Sequence, residues 1–233
     1  MSVVACDPSW RDRVTLIPFF SIVNLFRSRT NGFGINVLTD CIFALCMILL
    51  VIFIEKPAVE MKPTEENIRG YLFDQLDTVI IYVISFISIS FYWFFSHNES
   101  RLLRRSDGVH VWLTIIALMF VGLLPYTNGL NENFPKSLTV HIFYSLVVFL
   151  VGLLFCIDWL YATRNNRLVD RSLSIGSAEE LIVESLVQPV AALVSVGGAF
   201  IGTFWWQLPY LIVPFATFGI SWGWERRRAA KKT

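Results

Sequence analysis

Ile35-Asn36-Val37-Leu38-Thr39-Asp40-Cys41-Ile42-Phe43-Ala44-Leu45-Cys46-Met47-Ile48-Leu49-Leu50-Val51-Ile52-Phe53-Ile54 is a run of twenty residues holding a single charge. At a rise of about 1.5 Å per residue, such a run coiled as a helix crosses the roughly 30 Å hydrocarbon core of a bilayer. Large aliphatic side chains recur within it at Leu38, Ile42, Leu45, Leu49 and Ile52, in steps of four, three, four and three. That is the seam spacing of parallel helices packed side by side. The other face carries Asp40, Ala44, Met47 and Val51. Asp40 lies about 200° around the helix from Leu38, at about 100° per residue.

The rest of the 233-residue chain has the same character: 55% is hydrophobic, 15% aromatic and only 16% charged. A soluble domain would carry about 25% charged residues. Disorder, a collagen-like fibre, a disulfide scaffold and a soluble enzyme are excluded on these grounds. We read an all-α integral membrane protein with six transmembrane helices. They are placed near Ile35–Ile54, Leu72–Ser96, Val109–Pro125, Leu138–Thr163, Glu180–Phe204 and Trp206–Trp224. The alternating serines Ser85, Ser88 and Ser90 sit in a run far too long for a barrel strand of about 10 residues, so that segment is helical too. The fifth and sixth runs nearly merge through Phe204-Trp205-Trp206, and Pro209 is expected in the first turn of the last helix, after a tight hairpin. Cys6, Cys41, Cys46 and Cys156 show no repeated short spacing. They read as buried small apolar residues rather than as a metal site or a disulfide framework.

Lysine and arginine placement sets the expected orientation. Fifteen of the nineteen fall on one side: Arg11, Arg13, Arg27 and Arg29, the second-loop and fourth-loop arginines, and the cluster from Arg226 to Lys232. Only Lys56, Lys62, Arg69 and Lys136 fall on the other. Both termini are therefore expected to be cytoplasmic, as an even number of spans requires. Residues 1–33 read as a cytoplasmic segment in which 14–23, apolar but too short to cross, forms an interfacial helix. Residues 34–224 form the transmembrane domain and 225–233 a basic cytoplasmic tail.

A carboxylate inside a span costs about 2.5–3.5 kcal/mol on insertion scales, so Asp40 needs a partner. The cytoplasmic ends of the first two helices can meet, and Trp93 and His97, spaced i, i+4 on the second, share one face. Indole and imidazole N–H groups are both donors to a carboxylate. Thr39, Asp40, Trp93 and His97 are thus expected to form a polar cluster behind the aliphatic stripe. Asp158 and Glu184 read as interfacial anchors or partners of Arg164 and Arg167, and His110 and His141 as isolated residues. Gly198 and Gly202 form a small-xxx-small pair that admits close helix approach. Arg226-Arg227-Arg228 reads as a positive-inside anchor or an anionic-lipid contact, and no nucleic-acid partner is expected.

The stretch Leu38-Thr39-Asp40-Cys41-Ile42-Phe43-Ala44-Leu45 resembles the Phe-Ser-Asp signature that opens the first helix of the transmembrane protein 175 family of potassium channels. Trp93 followed by His97-Asn98, the Pro125-Tyr126-Thr127 end of the third run, and six spans in about 200 residues are similar as well. The likeness is strongest over the first three spans. It implies a homotetramer, with the first helix of each subunit lining a central pore closed by rings of bulky aliphatic side chains. Carried over by position, the rings are Leu45, Leu49 and Ile52, all members of the periodic seam. Ile48 stands where many members carry a threonine, and Gly34 where an arginine usually precedes the signature. No Thr-Val-Gly-Tyr-Gly filter loop is present.

An aliphatic ring cannot replace an ion's hydration shell; it gates by dewetting and discriminates modestly. Between the first two helices six acidic residues stand against three basic ones, which would concentrate cations at the non-cytoplasmic mouth. The leading expectation is a potassium-preferring cation channel in the cell membrane. It has no cofactor, and potassium and other monovalent cations are its permeant partners. The alternatives are a secondary transporter, or a non-conducting membrane interaction protein of the same fold. No nucleophile, base or metal constellation points to an enzyme.

Overall fold

The structure is a computed structural model that describes residues 33–52, 54, 64–169 and 175–230. The expected interfacial helix at 14–23 and most of the acidic loop after the first span lie outside these residues. Among the described residues the regular structure is helical: α1 Phe33–Ile52, α2 Glu65–Asp74, α3 Leu76–Leu102, α4 Gly108–Asn133, α5 Leu138–Thr163, α6 Ile175–Ala199 and α7 Thr203–Ala230. A 3₁₀ turn, Arg164–Asn166, closes α5. There Asn165 and Asn166 take φ of 58° and 50°, a left-handed pair that asparagine tolerates better than other non-glycine residues. Successive long helices pack in order from α4 to α7, and α1 lies across α3 and α4.

Among the described residues five helices, α1 and α3–α6, are long and apolar enough to cross a membrane. The last, α7, has the length but is the least apolar of the long helices, diluted by Gln207, Pro209, Pro214 and the charges from Glu225 onward.

Several boundaries differ from the sequence reading. The third span does not stop at Pro125 but runs to Asn133, with the proline inside. Proline has no N–H to offer the carbonyl four residues back. That carbonyl, on Val121, accepts instead from the Cys46 thiol of α1 at 3.7 Å. Beyond it, Thr127, Asn131 and Asn133 bond back to carbonyls of their own helix at 2.8–3.1 Å, so a polar stretch stays helical while mostly buried. Pro209 likewise lies well inside α7, not in its first turn, and the hairpin is made by Phe200–Gly202. Cys46 and Cys156 are buried as expected, but Cys41 is exposed.

The core gathers around Phe155 of α5. Its ring stands 6.1 Å from Phe43 of α1, and 6.2 and 6.4 Å from Tyr92 and Phe95 of α3. Lipid is as apolar as these side chains, so dispersion and fit, not exclusion from water, hold such contacts. Polar locks supplement them. Ser145 on α5 accepts from Trp206 Nε1 at 3.0 Å and from the Tyr210 hydroxyl at 2.9 Å. Ser85 on α3 donates to Asn128 Oδ1 on α4 at 2.7 Å.

Loop contacts give the bundle two distinct ends. At one, Leu103 bridges Val169, and Asp107 binds Arg167 at 3.2 Å and the Tyr161 hydroxyl at 2.7 Å while capping α4 at His110 N. Partial burial raises the Asp107 pKa. The Tyr161, His110 N–H and Arg167 contacts outweigh it and hold the carboxyl below its ordinary range. At the other end, the Pro135 carbonyl accepts from Thr203 at 3.2 Å and meets His141 Nε2 at 3.1 Å.

Candidate functional site: the first helix and its anchors

Helix α1 has two faces of equal periodicity. Thr39, Phe43, Cys46 and Leu50, in steps of four, three and four, turn into the bundle and are buried. One residue out of phase, Leu38, Leu45 and Leu49 point away from it, with Ile42 packed against the core's margin. The four positions expected to line a pore, Leu45, Ile48, Leu49 and Ile52, are 59%, 64%, 41% and 67% exposed. Among the described residues nothing covers them. A ridge of large aliphatic side chains this exposed must meet lipid or another helix.

Of the expected polar cluster, the structure brings three members together. Trp93 Nε1 on α3 donates to Asp40 Oδ1 at 2.8 Å. His97 stacks on the Trp93 ring, with centroids 5.4 Å apart. Asp40 and His97 remain exposed, so the pair ties the rim of α1 to α3 rather than being sealed between them. Thr39 stands apart. The helical step turns it inward to 5% exposure, and its hydroxyl donates to the Ile35 carbonyl at 2.8 Å.

What Thr39 faces was not foreseen. Asp158, read from sequence as an interfacial anchor, is buried and accepts at Oδ2 from the Thr114 hydroxyl at 3.0 Å. Its Oδ1 lies 2.8 Å from His110 Nδ1, so His110 is not isolated either. Glu99 joins them at 3% exposure. His141, the other histidine read as isolated, stacks on Trp206 at 4.2 Å. Glu184 accepts from the Ser221 hydroxyl at 2.7 Å, a tie to α7. The signal for the Glu99–His110–Asp158 group lay only in charged residues inside apolar runs, and their spacing gave no hint that they meet.

Comparison with known proteins bears on the helices that carry these residues. The family described as endosomal/lysosomal potassium channel TMEM175 matches residues 35–125, from α1 through most of α4. Over those residues the chain resembles the TMEM175 family. A relative from Streptomyces collinus, named a potassium channel, is 25% identical over 171 residues, covering 72% of this chain and 82% of that one. Among solved structures, the chain is similar to a lysosomal potassium-selective channel TMEM175 homolog from Chamaesiphon minutus. The TM-score is 0.67 at 19% identity, over 83% of this chain and 97% of that one. It is also similar to a variant of the potassium channel MtTMEM175 solved with a nanobody–MBP fusion. There the TM-score is 0.52 at 18% identity, over 84% and 93%. At such identities these two establish a shared TMEM175 fold. They extend the likeness past α4, where the family match ends.

Proposed function

We propose that this protein is a potassium-preferring cation channel. Four copies assemble around an axis, each contributing α1 to a central pore, and Leu45, Ile48, Leu49 and Ile52 form the narrow stretch. The observation that carries this reading is the two-faced α1: one stripe anchored in its own bundle, the other exposed along its whole length. Both the TMEM175 family match over residues 35–125 and the relative named a potassium channel support it. In this reading α7 is the sixth span, held to α5 by buried Trp206 and Tyr210, and both termini are cytoplasmic in the cell membrane. The loops at Arg104–Arg105 and Arg164–Arg167, which meet at one end of the bundle, agree with that orientation.

Such a pore has no carbonyl cage. It conducts when the aliphatic ring is wetted, and its preference follows the lower dehydration cost of potassium. The protein reconstituted in liposomes should dissipate a potassium gradient. Leu45→Ser, which places hydroxyls where the ring repels water, should raise the flux several-fold. Absence of potassium and sodium flux from folded tetramers, in both wild type and variant, would sink the proposal and leave an interaction protein of the same fold. Saturable flux coupled at fixed stoichiometry to a second ion would identify a transporter.

A further inference from the structure

Glu99, His110 and Asp158 come from three helices, α3, α4 and α5, and bring one ligand atom each within 4.8 Å of one another. All three side chains are buried. Two carboxylates brought this close in a dry interior need compensating positive charge or hydrogen bonds. Those of Asp158 are met: Oδ1 by His110 and Oδ2 by Thr114. Glu99 Oε1 has no hydrogen-bond partner although it is fully enclosed. It borders a void of about 10 Å³, which is about the volume of one water-sized sphere. The same void is lined by His110, Asp158 and Thr114, and by Asn36 and Thr39 of α1.

We propose that this group is a binding site for one divalent transition-metal cation of the zinc class. One imidazole nitrogen and two carboxylates are a borderline ligand set that suits zinc, with bonds of about 2.0–2.2 Å that rotation of the carboxylates can close. Two negative charges and one divalent cation sum to zero with His110 neutral, so the ion supplies the charge the interior lacks. Thr114, bonded to Asp158 Oδ2, holds that carboxylate in place as an outer-shell partner. A fourth position remains for water in the void. Glu99 and His110 lie about one turn from the ends of α3 and α4, so the ion enters from the Asp107 end of the bundle. An occupied site fastens α3, α4 and α5 together directly beneath Thr39 of α1.

Metal binding here is independent of the conduction reading, so each can fail without the other. Purified protein, stripped with a chelator and titrated with zinc chloride alone, should take up one zinc per chain, with a matching rise in melting temperature. Glu99→Gln and His110→Gln, at unchanged elution volume, should each weaken binding at least tenfold. Cobalt-loaded wild type should show ligand-field bands of a nitrogen–oxygen site, a reading that needs no variant. Stoichiometry near zero in wild type overturns the proposal. So does binding that survives both substitutions, or a thiolate-to-cobalt absorption band, which would assign the metal to cysteines.

Discussion

Thr39 and Asp40 are adjacent in sequence, and the single helical step between them sends one into the bundle and leaves the other at its rim. Asp40 could be paired by sequence reasoning because its donor Trp93 shares a helix face by spacing with His97, and topology brings the two helix ends together. Thr39 could not be placed, because the stripe Thr39, Phe43, Cys46 and Leu50 has the same four-three rhythm as its neighbour and both are apolar enough to face lipid, core or pore. The indole–carboxylate bond is expected to be worth about 1 kcal/mol, below the usual range for a charged acceptor, because Asp40 is exposed and membrane hydrogen bonds average less than that. Trp93→Phe should therefore lower the melting temperature only slightly in detergent. Asp40→Asn, which keeps an acceptor, should lower it less. A large loss in Asp40→Asn would mean that its charge, not the hydrogen bond, holds α1.

At the level of helices, proline and glycine decide more than hydropathy does. Pro125 frees a carbonyl that α1 reaches with Cys46, so an apparent stop signal became a contact between helices. Pro189 of α6 fits against α5 because Gly152 is there: a Cβ on Gly152 would come within 2.7 Å of the proline ring. The α6–α7 hairpin depends on Gly198 even more strictly, since a Cβ there would lie 2.3 Å from the Trp205 carbonyl oxygen. Backbone cannot step aside as a flexible side chain can, so Gly198→Ala should cost about 1–3 kcal/mol or prevent the hairpin from closing. Gly197→Ala meets nothing within 4 Å and removes a glycine from a helix, so it should be neutral or slightly stabilising. Paired thermal melts in one detergent would check the contrast, and equal losses in both would contradict it. The sequence showed the glycine pair, but not which glycine touches backbone.

Over the whole molecule, hydropathy and charge asymmetry made the membrane helices legible, because each span is a local run whose length the bilayer dictates. Long-range pairing was not legible. Glu99, His110 and Asp158 lie on three different helices, and only the packing of α3, α4 and α5 makes them one group. Helix α7 shows the limit of hydropathy itself: tryptophan, tyrosine and proline count as barely apolar on a transfer scale. Yet Trp206 and Tyr210 are nearly fully buried, their polar atoms taken up by Ser145. The outer stripe of α1 belongs to this scale as well, since among the described residues it stays exposed and is left to lipid or to another helix.

The contrast between exposed Cys41 and buried Cys46 turns α1 into its own chemical reporter. In a Cys6→Ser background, a membrane-impermeant thiol reagent applied in lipid should modify Cys41 from a water-filled vestibule and spare Cys46 and Cys156. The adduct would crowd the approach to Leu45 and reduce conduction. Mass spectrometry would show the site modified. If Cys41 reacted only after unfolding, its face of α1 would be bathed in lipid rather than water, and the first helix would lie on the outside of the assembly.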